Sequence, residues 1–199
     1  MKQLIVITTP DLFAGEEEIV RHLFDEGLEI LHLRKPEAGK NELIKWLDRI
    51  PADYHSRIVL HEHFDLTTEY SLKGIHLNRR YPTVPDDYNG STSRSIHSFN
   101  EITDYAPYQY VFLSPIFSSI SKKGYESKFS ISELKEAFEK GILHEKVVAL
   151  GGITVSTIPF IHDLPFGGYG VLGSLWGNKP TVLETDTIIQ QFHRLQICL

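Results

Sequence analysis

The chain has 199 residues, 41% of them hydrophobic, with 20 Lys+Arg against 26 Asp+Glu and a formal net charge of −6. That length suits one globular domain whose core needs no staple, and Cys198, the single cysteine, cannot close an internal bridge. An acidic chain with no apolar run of about 18 residues and no signal-peptide core after Met1-Lys2-Gln3 is expected to be cytoplasmic, with neither nucleic acid nor membrane as partner.

Short apolar runs alternate with polar, helix-like stretches along the chain. The first run, 4–7, precedes a helical stretch over 16–26, and the second, 30–33, precedes one over 40–48. Asn41 is the expected cap of that second helix, and Trp46 falls on its apolar face. The third run, 58–60, leads to a short helix over 65–71. The fourth, 74–77, leads into 81–90, where Pro82, Pro85 and Asn89-Gly90 encode turns rather than helix. A weak fifth run, 93–96, precedes a helix over 98–105. After the sixth, 110–113, come a loop over 118–128 and a helix over 130–140 opened by the capping box Ser130-Ile131-Ser132-Glu133. The seventh and eighth, 147–150 and 169–172, carry helices over 155–161 and 181–195. Continuous apolar runs indicate strands buried on both faces, as parallel sheets require. Eight such units predict an α/β fold, a small (β/α)8 barrel spanning 1–199 as one domain and shorter than the usual ~250 residues. A doubly wound open sheet is the alternative that the same alternation allows.

In a barrel the chemistry sits where the strands end. Of the ten histidines, His32, His61, His63, His76 and His97 lie at or just after consecutive runs. His32 and Arg34 share one face by the strand period of two. Histidine suits proton transfer near neutral pH, and arginine suits fixed recognition of carboxylate or phosphate. Any one of these histidines reads equally as a hydrogen-bonded barrel side chain; five on adjacent strand ends indicate a site. His61-x-His63 is half of a metal site by spacing, but no second pair completes it, and no metal is expected there.

Three later segments point to phosphate. Ser118-Ser119-Ile120-Ser121-Lys122-Lys123-Gly124 offers hydroxyls and cations, Gly151-Gly152-Ile153-Thr154 follows the seventh run, and Gly173-Ser174 follows the eighth. Glycines let backbone N–H groups approach an anion, and barrel enzymes often bind phosphate with the loops after strands seven and eight. The length and Ser and Gly content of 118–128 suit a loop that closes over substrate. Tyr105, Tyr108 and Tyr110 surround Pro107 without the basic stripe of a nucleic-acid platform.

Taken in order, 4–8, His32-Leu33-Arg34, Gly74-Ile75-His76-Leu77, Arg94-Ser95-Ile96-His97-Ser98, Leu113-Ser114-Pro115-Ile116-Phe117, Lys122-Lys123-Gly124 and Ala149-Leu150-Gly151-Gly152-Ile153-Thr154 form a familiar series. Over residues 2–178 the sequence resembles the superfamily of thiamin phosphate synthase and the thiazole tautomerase TenI, whose members are small (β/α)8 barrels. The synthase joins a pyrimidine diphosphate to a thiazole phosphate with magnesium. The tautomerase moves a proton to aromatise a thiazole phosphate carboxylate without metal. Where the synthase pattern has Gln-x-Arg-x-Lys, this chain reads His32-Leu33-Arg34-Lys35-Pro36. The synthase Asn-Asp falls on His61-Glu62 and its metal-binding aspartate at about Tyr81, while Arg79 and Arg80 nearby oppose a divalent cation. The TenI pattern fits better.

The resemblance therefore implies a tautomerase acting on a small thiazole phosphate with no cofactor. His97 would be its acid/base. His32, Arg34, His61, Ser119, Ser121 and Lys122 would bind substrate, and Gly151, Gly152, Gly173 and Ser174 the phosphate. The alternatives are a synthase using Mg2+, with Glu62 as metal ligand, and a non-catalytic regulatory barrel that binds a phosphorylated ligand. Any of them is compatible with a homo-oligomer.

Overall fold

The computed structural model describes residues 2–104, 107–118 and 128–199. Its strands are β1 (Gln3–Ile7), β2 (Ile30–Leu33), β3 (Ile58–Leu60), β4 (Gly74–Leu77), β5 (Ser91–Ile96), β6 (Tyr110–Leu113), β7 (Val147–Leu150) and β8 (Gly168–Val171). They pair in parallel in sequence order and β8 closes on β1, so the sheet is a barrel and not the open alternative. The helices are α1 (Glu16–Asp25), α2 (Lys40–Leu47), α3 (Leu66–Glu69), α4 (Ile131–Glu139), α5 (Gly173–Trp176) and α6 (Thr185–Ile197). Turns of 3-10 helix cover Ala52–Arg57, Phe99–Asp104, Ile158–Phe160 and Val182–Glu184. Among the described residues no helix is long and apolar enough to cross a membrane.

Each strand sends alternate residues to opposite faces. The outward set, including Leu4, Val6, Leu31 and Leu33, packs with Ile19, Leu23 and Trp46 in one continuous layer between sheet and helices. The inward set is part apolar and part polar. Ile5, Ile7, Ile30, Val59, Tyr110, Phe112 and Val148 form an apolar cluster, while β2 to β5 contribute the buried His32, His61, His76 and Ser93. Phe112 reaches across the barrel because β8 carries Gly170, where an added Cβ would come within 3.0 Å of its ring.

Three local expectations are corrected. Gly39, not Asn41, caps α2: its N–H donates to Glu42 Oε2 at 2.9 Å, which places Asn41 inside the first turn. The stretch 98–105 forms the 3-10 turn Phe99–Asp104 rather than an α-helix. The expected helix over 155–161 contracts to Ile158–Phe160, because Thr157 Oγ1 takes the Thr154 N–H at 2.8 Å and Pro159 has no N–H to give. The Ser130 capping box forms as expected, with Ser130 Oγ accepting from Glu133 N at 3.2 Å and Glu133 Oε2 accepting from Ser130 N at 2.7 Å.

Candidate active site at the barrel mouth

The end of β2 is pinned to the end of β1. Buried Thr8 accepts the Arg34 N–H on Oγ1 at 3.0 Å and donates back to the Arg34 carbonyl at 3.2 Å. This fixes the backbone from which the half-buried Arg34 side chain extends, two residues beyond the inward His32. Among the described residues its guanidinium has no hydrogen-bonding partner. Lys35, by contrast, turns outward: Nζ lies 2.6 Å from Glu16 Oε1, 2.8 Å from the Thr9 carbonyl and 2.9 Å from that of Asp11. Burial lowers the Lys35 pKa and raises that of Glu16, and their mutual attraction opposes both shifts. The Lys35 N–H donates to Glu62 Oε2 at 3.1 Å, and burial raises the Glu62 pKa against the nearby charges of Arg34, Arg80 and His63.

Beneath Arg34 lies a floor of imidazoles. His32 Nδ1 is 2.9 Å from His61 Nε2, and His32 Nε2 is 2.5 Å from the Tyr110 hydroxyl. His76 stacks on His61 with ring centroids 4.3 Å apart, and its nitrogens meet Ser93 Oγ at 2.9 Å and Ser95 Oγ at 3.0 Å. Burial, followed by the charge of Arg34, pushes the His76 pKa down to about 3. His32 and His61 also lie well below the usual imidazole value, first because they are buried and then because of their histidine neighbours. All three are neutral at physiological pH. His63 does not join them: its φ of 51° breaks the strand phase, and Nε2 faces the Ala38 carbonyl at 3.3 Å.

His97 follows β5 in the same alternation as the inward Ser93 and Ser95, but it is exposed at the rim. Nδ1 is 2.8 Å from the Ser114 carbonyl, an acceptor only, so Nδ1 carries the proton of the neutral ring. Nε2 is left as the basic nitrogen, with no partner among the described residues. The ring borders a cleft with Phe99, Phe129, Lys128 and Glu133.

The loops after β7 and β8 are neighbours, since Leu150 pairs with Gly170. Gly151 and Gly152 take φ of 94° and 64°, and a Cβ on Gly152 would lie 2.6 Å from Phe117 Cβ. Glycine is required there for both reasons. Among the described residues no backbone acceptor is found for the N–H groups of Gly152, Ile153, Gly173 and Ser174, and buried Ser174 Oγ has no partner. Ser119, Ser121, Lys122 and most of the expected lid fall outside the described residues.

A model of the family described as thiamine monophosphate synthase matches residues 4–165. The chain belongs to this family.

A thiamine-phosphate synthase of Dictyoglomus thermophilum is 25% identical over 172 residues, 78% of this chain and 74% of the relative. One from Phocaeicola vulgatus is 25% identical, with 85% and 88% covered. The crystal structure of a thiamine phosphate pyrophosphorylase from Bacteroides thetaiotaomicron is 44% identical, covers 98% of this chain and 96% of its own, and superposes with a TM-score of 0.90.

The magnesium that the synthase branch of the thiamine monophosphate synthase family implies finds few buried donors among the described residues. Among the described residues Glu16 and Glu62 are the buried carboxylates. Glu16 is held by Lys35, and Glu62 has one oxygen on the Lys35 N–H and two arginine charges acting on it. At the expected aspartate position Tyr81 packs against Phe64, ring centroids 5.4 Å apart. This donor set does not fit a hard cation, which seeks several carboxylate, carbonyl or water oxygens. Two features here escape sequence reading. The imidazole floor takes one residue from each of three strands, and the Lys35–Glu16 pair joins a strand end to the first helix.

Proposed function

We propose that this member of the family is a thiazole tautomerase. The observation that carries the reading is the state of His97: Nδ1–H is engaged by the Ser114 carbonyl, and Nε2, on the exposed ring that follows β5, has no partner among the described residues. A single imidazole so held can act as base and then as acid. Nε2 takes the proton from the ring carbon that bears the carboxylate, and the electron pair of that C–H bond moves into the ring. The exocyclic C=C bond then takes the same proton from the imidazolium, and the aromatic thiazole results. No atom is gained or lost.

Arg34 is the group suited to the substrate carboxylate, since its planar fork matches two oxygens. The neutral floor of His32 and His61 lies beneath it. The N–H groups of Gly152, Ile153, Gly173 and Ser174 are assigned to the phosphate, and Ser119, Ser121 and Lys122 to the substrate-facing loop. The magnesium donor set supports this reading over the synthase, as does the commitment of Lys35 to Glu16.

The names of the relatives favour a second reading, thiamin phosphate synthase. One pair of assays separates the two. In chelator, the protein is given the non-aromatic thiazole carboxylate phosphate alone. With Mg2+, it is given hydroxymethylpyrimidine diphosphate and thiazole phosphate together. Turnover in the first is the result expected; thiamin phosphate formed only in the second would replace the tautomerase by the synthase. Binding without turnover in either would leave a regulatory barrel.

A further inference from the structure

The imidazole floor has more ligating capacity than the proposed proton transfer uses. One ring nitrogen from each of His32, His61 and His76 lies within 4.8 Å of those of the other two. The three residues are 0%, 5% and 2% exposed. We propose that this triad is a binding site for a divalent transition ion of the zinc and cobalt class, seated inside the barrel below Arg34.

Several observations support the site. His32 Nδ1 and His61 Nε2 face each other at 2.9 Å across one shared proton. A cation would take its place, with the proton passing to the outer nitrogen of the ring that carries it, on His32 the Nε2 that faces the Tyr110 hydroxyl oxygen. Tetrahedral ligation at Zn–N distances of about 2.0–2.1 Å asks for nitrogens about 3.3 Å apart, so this pair needs to open by only a few tenths of an ångström. His76 closes the third side from its stacked position on His61. Outer positions on two of the three rings are already held, as metal-bound histidines require. His32 Nε2 has the Tyr110 hydroxyl, and His76 keeps Ser93 or Ser95 on whichever nitrogen stays free. Imidazole suits borderline transition ions and not magnesium, so this site is distinct from the one a synthase would need. Arg34 works against a cation here, and the Glu62 carboxylate beside Arg34 offsets part of that charge. The inference does not depend on which reaction the barrel runs.

The test is equilibrium dialysis of the metal-free full chain against Zn2+, with visible spectroscopy of the Co2+ form. The expected result is one ion per chain, a tetrahedral cobalt spectrum and a raised thermal midpoint. His61→Gln and His76→Gln should each weaken uptake at least tenfold, while His162→Asn with His193→Asn, both on the surface, should leave it intact. Should the triad variants fail to fold, X-ray absorption on the wild-type zinc form counts the ligands directly, with three imidazoles expected. No uptake, uptake unchanged in the triad variants, or fewer than three imidazoles around the ion would overturn the proposal.

Discussion

Lys35 Nζ lies 2.6 Å from Glu16 Oε1, and neither side chain is exposed to solvent. The contact welds the end of β2 to the start of α1 and removes from the mouth the cation next in sequence to Arg34. Breaking a buried pair on one side strands the other charge, which typically destabilises by about 3–5 kcal/mol. Lys35→Met is expected to lower the unfolding free energy by that amount in urea, and Lys35→Met with Glu16→Leu should recover most of it. Equal stability of the single variant and wild type would refute the structural role.

The histidine floor makes stability depend on pH. Each of the three histidines has a folded pKa below its unfolded value, so the unfolded chain binds more protons and stability rises with pH. That contribution is complete above pH ~6.5. It is lost as pH falls from there toward the folded value of about 3 given for His76. Each histidine held neutral adds a slope of up to about 1.4 kcal/mol per pH unit in that window. Glu16 and Glu62, with values raised chiefly by burial, act in the opposite sense, so the clean comparison is with His76→Gln. Denaturation between pH 7 and 5.5 should show a shallower slope in that variant; an identical slope would remove the histidine from the account.

Arg34 divides binding from chemistry. Arg34→Met should raise KM for the thiazole carboxylate phosphate at least tenfold, since charge-assisted hydrogen bonds are worth about 1.5–3 kcal/mol each. It should leave the affinity for the decarboxylated thiazole phosphate nearly unchanged. Equal losses for both ligands would mean that Arg34 does not read the carboxylate.

The loops after β7 and β8 are tested with phosphate itself. Thiazole phosphate should bind at least about tenfold more tightly than its alcohol by calorimetry, given several N–H donors to one anion. Gly152→Ala should erase that preference, because its φ of 64° and a Cβ 2.6 Å from Phe117 force the loop to move. Equal affinities in the wild type would cancel the phosphate assignment.

Much of this fold is legible in the sequence because parallel strands are apolar on both faces. Runs 4–7, 58–60 and 147–150 coincide with strands or nearly so, and only the polar β5 is faint. Its Ser93 and Ser95 face inward to meet His76, a pairing visible only once β4 and β5 are aligned. Helix ends follow local chemistry, and Ser130 obeys it, whereas at α2 the glycine before Lys40 takes the capping position. The triad is hidden because each strand supplies one histidine, and spacing within a strand reveals pairs such as His61-x-His63. That pair dissolves at the positive φ of His63. The rim residue His97 is legible from its place after β5; the orientation of its ring, set by the Ser114 carbonyl from the next strand, is not.

The central claim is best tested by the ultraviolet absorbance change as the non-aromatic thiazole carboxylate phosphate becomes aromatic, followed in chelator with wild type, with His97→Ala and with no protein. Wild type should clearly exceed the spontaneous rate, and His97→Ala should fall by about 10²–10⁴ while keeping its fold and its affinity for thiazole phosphate. A wild-type rate equal to the spontaneous one would contradict the tautomerase reading, and an unchanged rate in His97→Ala would take the proton transfer away from that histidine.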